Sequence, residues 1–130
     1  MTVFLDTGYF IALQVERDQW HALAVQAIRP GLRLVTSSLV INETVSLLQA
    51  RGLFSTALEF LQGIRSDSDI QIVYVDPALQ SEAWDLFQRL GGSGANAIDC
   101  SSFAVMQSLQ IRKSFTFDHN FRTAGFEILR

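Results

Sequence analysis

Apolar residues along this chain fall into short dense runs that alternate with longer stretches in which they recur at helical spacing. The dense runs lie at 3–5, 32–36, 70–75, 114–117 and 126–129, and each reads as a strand by its β-branched and aromatic content. Between them, helical spacing predicts a helix around Phe10 to Leu13, and a second from about Trp20 through Leu23, Ala24 and Ala27 that ends at Pro30-Gly31. A third carries Val40, Ile41, Val45, Leu47 and Leu48, with Ser37 or Ser38 as N-cap and Gly52 as the residue past its end. Others follow over 55–64, after Asp76-Pro77 with Trp84, Leu86 and Phe87, and from Ala97 with Phe103, Met106 and Leu109. Polar stretches at 66–69 and 91–96 read as loops. Strands alternating with helices predict one α/β domain over residues 1–130, with a mainly parallel central sheet flanked by helices on both faces.

Composition narrows the class. Apolar residues make up 48% of the 130 and charged ones 18%, which excludes a disordered chain. No apolar run approaches the roughly 20 residues that span a bilayer. Cys100 is the single cysteine and no leader-like segment precedes the first strand, so a reducing, cytoplasmic setting is expected. A net charge of −3 does not advertise nucleic-acid binding, but acids sequestered in one pocket would leave Arg112, Lys113, Arg122 and Arg130 to form a basic face for substrate.

Four acids sit in apolar sequence: Asp6 after Phe4-Leu5, Glu43 near Val40-Ile41, Asp99 after Ala97-Ile98, and Asp118 after Phe115-Thr116-Phe117. In a parallel sheet, ligands gather at the carboxyl ends of strands, where Asp6 and Asp118 fall. Glu43 and Asp99 are expected in the first turns of helices that face the same crevice. Singly, each acid has an ordinary reading as a cap, a turn residue or a solvated helix position. Together, drawn toward a core with no matching lysines or arginines, they suit a hard cation such as Mg²⁺ or Mn²⁺ and the hydrolysis of phosphodiesters. Thr7, Thr116 and Asn120 are candidate hydrogen-bonders around the carboxylates.

Leu5-Asp6-Thr7, Asn42-Glu43, Ile98-Asp99-Cys100 through Met106, Phe115-Thr116-Phe117-Asp118-His119-Asn120-Phe121 and Ala124-Gly125-Phe126, in that order, resemble PIN-domain proteins of the VapC type over essentially the whole chain. The resemblance implies a metal-dependent endoribonuclease with Asp6, Glu43, Asp99 and Asp118 as its catalytic and metal-binding cluster. It also implies an RNA substrate, homodimers, and a small antitoxin protein that blocks the site. Ile98 departs from the Thr or Ser of many relatives, and Asn120 from the acid or histidine of some.

Other features weigh less. Asp6-Thr7-Gly8 matches the aspartic-protease triad, but those proteins are β-rich. Gly91 to Gly94 lacks the lysine of a phosphate loop and reads as flexible. His21 reads as a surface residue and His119 as a turn residue; Cys100 reads as a buried small residue. Trp20, Trp84 and the phenylalanines are assigned to core or interface rather than to base stacking. The competing function class is an interaction module of the same fold with weak or lost catalysis, which would hold its partner without metal.

Overall fold

The structure, a computed structural model, describes residues 1–129. The five strands are β1 (Thr2–Leu5), β2 (Arg33–Ser37), β3 (Ile70–Val73), β4 (Lys113–Phe115) and β5 (Glu127–Leu129). The helices are α1 (Thr7–Gln14), α2 (His21–Ala27), α3 (Ser38–Ala50), α4 (Phe54–Ser66), α5 (Pro77–Leu90), α6 (Ala97–Ser108) and α7 (Asn120–Thr123). The strands form one sheet in the order β3-β2-β1-β4-β5, with every pairing parallel.

That order carries the main consequence for function. The chain steps outward from β1 through β2 to β3, then returns across β1 to begin β4 on its far side. Right-handed crossovers put the helices before β3 on one face and those after it on the other. The reversal opens a crevice between β1 and β4 at their carboxyl ends. Leu5 pairs with Phe115, and the backbone N–H of Asp6 still donates to Phe115 O at 3.1 Å, so the two strands deliver their next residues side by side.

The core is dense and aromatic. Val3, Phe4 and Leu5 are fully buried, as a strand covered on both faces requires. Tyr9 stacks on Phe115 with centroids 5.3 Å apart, and Phe103 meets Phe121 edge to face at 4.9 Å. Buried hydroxyls are absorbed by the sheet: Ser114 donates to Phe4 O and Thr36 to Leu5 O, each at 2.9 Å.

Local chemistry sets most helix ends where the sequence predicts them. Ser37 accepts from the Val40 N–H, Asp76 accepts from the Leu79 N–H with Pro77 behind it, and Gly52 adopts φ +76° after α3. There are differences. α1 begins at Thr7, a turn ahead of the expected start. β4 ends at Phe115, and Thr116 and Phe117 have already left the sheet. β3 ends at Val73. Residues 91–93 form a 3₁₀ turn rather than open loop, closed by the Gly94 N–H on Gly91 O, and residues 120–123 form the short helix α7 where a plain turn was expected. Trp84 is 60% exposed and Phe87 44%, so neither belongs to the core, and Leu109 caps α6 from the surface. Among the described residues, no helix is long and apolar enough to cross a membrane.

Candidate active site

All four acids line a single cleft of about 310 Å³. Asp6 follows β1 and Asp118 follows β4, on the two sides of the crevice. Asp99 is in the first turn of α6, as expected; Glu43 is not, for α3 starts at Ser38 and Glu43 falls in its second turn. The crevice still reaches it, since α3 rises from the carboxyl end of β2 beside β1.

Asp6 occupies the N-cap position of α1 yet makes no capping hydrogen bond. Its carboxylate is held by Thr116, whose hydroxyl donates to Asp6 Oδ2 at 2.6 Å. The same Thr116 oxygen accepts the Asp118 N–H at 3.0 Å, and Asp118 Oδ1 accepts the Asn120 N–H at 2.9 Å. One chain of hydrogen bonds thus ties the acids of β1 and β4 together. Asp99 shares a capping box with Asn96: Asn96 Oδ1 accepts the Asp99 N–H at 2.8 Å, and Asp99 Oδ2 accepts the Asn96 N–H at 3.0 Å.

Burial dominates the electrostatics. It pushes Asp6 up to about 7, against hydrogen bonds from Thr116 and the Thr7 backbone, with the charges of Asp99 and Glu43 adding to the rise. Asp99 is raised to about 6, again first by burial, opposed by the Asn96 backbone and reinforced by the charges of Asp118 and Glu43 and by a hydrogen bond to Asp118. Four carboxyl groups therefore sense one another across the cleft. The Cys100 thiol is raised by burial and by Asp99, the opposite of what a nucleophile needs.

The donor set is all oxygen, which suits a hard divalent cation. Among the described residues, no three His, Cys, Asp or Glu side chains converge tightly enough to cage an ion by themselves. That is compatible with an ion that keeps most of its waters and takes one or two carboxylates directly. The hydroxyl of Thr7, buried in the cleft wall, has no hydrogen-bond partner, and buried polar atoms are rarely left so. A hydrated ion or an anionic ligand in the cleft would supply one.

The other expected residues divide. Thr116 contacts Asp6 directly; Asn120 contributes its backbone to Asp118, and its side chain lies against Gly94. Arg112 and Lys113 stand at the amino end of β4, the far end of the sheet from the acids, where Lys113 pairs with Glu127 at 3.6 Å. They do not line the cleft. Arg122 is exposed on α7 and also does not line it, and Arg130 lies outside the described residues. His119 is exposed beside Asp118, whereas His21 is half-buried with Nδ1 2.8 Å from Ala12 O.

Several cleft residues escaped the sequence reading, among them Asp18, Trp20, Leu47 and Arg51. The last two had a signal. Glu43, Leu47 and Arg51 are spaced i, i+4, i+8 on one helix ridge, so an acid placed in a crevice brings the other two with it. Asp18 and Trp20 had none, because their position depends on how the 15–20 turn folds back over α1.

Comparison with known proteins agrees with this geometry. The PIN domain family model matches residues 3–127. The chain is 31% identical over 130 residues to the 23S rRNA-specific endonuclease VapC20 of Mycobacterium tuberculosis, covering 98% of both chains. It is 28% identical over 127 residues to a VapC ribonuclease of Archaeoglobus fulgidus, covering 93% of this chain and 80% of the relative. The crystal structure of M. tuberculosis VapC20, described as a sarcin-ricin loop cleaving toxin, superposes with a TM-score of 0.91 over 98% of each chain. VapBC-1 from nontypeable Haemophilus influenzae shares the fold at a TM-score of 0.66 and 18% identity, over 99% of this chain and 97% of its own.

Proposed function

The chain belongs to the PIN-domain family and is a ribonuclease of the VapC type, and from that premise we propose that it cuts a structured ribosomal RNA loop at the cleft formed by Asp6, Glu43, Asp99 and Asp118. The observation that carries this reading is the meeting of four carboxylates from four separate elements in one cleft, at the point where the strand order reverses. The ribosomal substrate is taken from the full-length likeness to VapC20.

Mg²⁺ or Mn²⁺ bound to these carboxylates would supply a water of lowered pKa and neutralise charge on the phosphodiester. The chain's own residues have distinct tasks. Thr116 fixes the orientation of Asp6 and, through the Asp118 N–H, the spacing between the two acids. The capping box locks Asp99 to the first turn of α6, so that one carboxylate oxygen is fixed and the group faces the cleft. Glu43 closes the fourth side from α3. Burial keeps Asp6 partly protonated at neutral pH without a cation, and binding one there releases that proton; Asp99, raised less, gives up its proton at lower pH. We further propose that a small antitoxin protein covers the cleft in the cell and that the protein works in the cytoplasm.

The test is cleavage of an rRNA-derived stem–loop in Mg²⁺ or Mn²⁺, beside EDTA and the Asp99→Asn variant. A discrete cut lost in both controls is the expected result. Cleavage that survives EDTA would overturn the metal-dependent reading.

A further inference from the structure

The acidic cleft uses one end of the sheet. At the other end, where β1, β2, β3 and β4 begin, a cavity of about 850 Å³ opens among the segments that lead into the strands. None of the residues lining it also lines the acidic cleft.

The rim of this cavity is charged. Arg29 and Arg33 stand on either side of Pro30 and Gly31, which follow the Pro-Gly order of a type II turn with φ +90° at Gly31. Pro30 stiffens that turn, and the Arg33 N–H donates to Met1 O at 2.9 Å, so both arginines leave from settled backbone. Asp69 also lines the cavity. Leu34 pairs with Ile70 across β2 and β3, which puts Asp69 one step before that pair, level with Arg33. The two nevertheless form no ion pair, and neither does Arg29; all three side chains are exposed, without a polar partner among the described residues.

The rest of the lining is largely apolar. Leu34, Val35 and Ile111 are buried, whereas Ile28 and Leu109 are 41% and 44% exposed. Exposed walls of this kind gain roughly 25 cal/mol for each Å² that a ring removes from water. A bare inorganic anion would leave them wet.

The combination limits the occupant. Two guanidinium forks match a phosphate, which each can grip bidentately. A carboxylate beside them repels a polyanion but accepts hydrogen bonds from ribose hydroxyls, as the acid of a dinucleotide site does. An RNA backbone calls for a longer run of cations than this cavity offers. The volume lies within the range of small-molecule pockets and admits one nucleotide with its waters.

We propose that this cavity is a second ligand site, one for a free nucleoside 5′-phosphate, in which Arg29 and Arg33 take the phosphate, Asp69 the ribose hydroxyls, and Ile28 and Leu109 the base. The site stands apart from the ribonuclease reading, since it needs neither a metal nor the four acids. A nucleotide bound there joins the segments entering β2, β3 and β4, so it stabilises the folded chain.

The test is thermal melting of the full chain in EDTA with the 5′-mono- and diphosphates of the common ribonucleosides, with the unphosphorylated nucleosides, with inorganic phosphate, and with a single-stranded oligoribonucleotide lacking terminal phosphates. At least one nucleotide should raise Tm saturably, by about 10 °C at a hundred times its Kd, while nucleosides and inorganic phosphate do little. Arg29→Gln and Arg33→Gln should each weaken binding at least about tenfold, the loss expected for a hydrogen bond to a charged group. Leu109→Glu, at an exposed position that tolerates a charge, should abolish it, and Asp99→Asn should leave it unchanged. No shift with any nucleotide, an equal shift from inorganic phosphate, or a shift that survives both arginine changes would overturn the site. Loss of binding in Asp99→Asn would put the nucleotide in the acidic cleft and overturn it too. So would tighter binding of the oligoribonucleotide, which would mark a contact for RNA backbone instead. Because no cleavage is read, failure of this site and failure of the ribonuclease reading are told apart.

Discussion

Thr116 shows how much one hydroxyl can organise. It donates to the carboxylate of Asp6 and accepts from the backbone of Asp118, so two acids on neighbouring strands share one positioning residue. Replacing it with valine removes the interaction that chiefly opposes the effect of burial on Asp6, whose pKa then rises beyond its present value of about 7. The expected outcome for Thr116→Val is Mn²⁺ binding displaced to higher pH and cleavage at pH 7 reduced about fivefold, as the ionised share of Asp6 falls from about a half to about a tenth on a shift of about one unit. Stability should fall by about 1–3 kcal/mol as the Asp118 N–H loses its acceptor. Thr116→Ser should restore the binding profile. The measurement is Mn²⁺ affinity against pH, and an unmoved profile would show that the bond does not tune Asp6. The sequence marked Thr116 only as a candidate hydrogen-bonder around the carboxylates. It did not show that the partner would be Asp6, which is 110 positions away.

Among the elements, α6 joins stability and site in a single turn. Asn96 and Asp99 satisfy each other's backbone N–H, so the N-terminal cap of the helix is also the mount of a cleft carboxylate. Asn96→Ala should cost about 1 kcal/mol, or about 4 °C in Tm for a chain of this size, and should also depress cleavage. Asp76→Ala, which removes the cap of α5 away from the cleft, should cost a similar amount and leave cleavage as it was. Thermal melts and initial rates on both variants separate the two roles; equal losses of activity would mean that the capping box serves only the helix. Elements of this kind were legible because their signals are local: Asp76-Pro77 at a helix start, Gly52 at a helix end, dense apolar runs for buried strands. α7 was not, since four residues hold no period to read. Trp84 and Phe87 misled for a related reason. Their spacing matches a buried helix face, but the face that α5 buries is the one through Ala83 and Leu86. Arg112 and Lys113 lie away from the cleft, a placement the sequence could not give, because a charge's position along the chain does not say at which end of the sheet it emerges.

At the scale of the whole molecule, the fold holds together around a charge cluster that works against it. Asp6 and Asp99 keep their protons to about 7 and about 6 in the folded chain, against 3.8 for an ordinary aspartate. Without metal, the folded state therefore binds more protons than the unfolded one between about pH 4 and pH 7. The stability these groups contribute is complete below the unfolded value and is lost as pH rises through the folded values. Asp6→Asn replaces the titrating group by a neutral one of the same shape. Metal-free, the variant should match or trail the wild type at pH 5 and exceed it at pH 8, by about 4 °C if relief of burial and repulsion is worth about 1 kcal/mol. Saturating Mn²⁺ should reverse that order at pH 8, because a cation present at a hundred times its Kd adds about 2.7 kcal/mol to the state that binds it. Four melts per pH, with and without Mn²⁺ for each protein, decide the matter. A difference between the two proteins that stays constant with pH and ignores Mn²⁺ would mean that the acids neither crowd one another nor hold the ion, and the cleft would lose its claim to the chemistry. The predicted crossing would show that the burial of these acids, reinforced by their mutual repulsion, both weakens the empty protein and makes it a receptor for the cation.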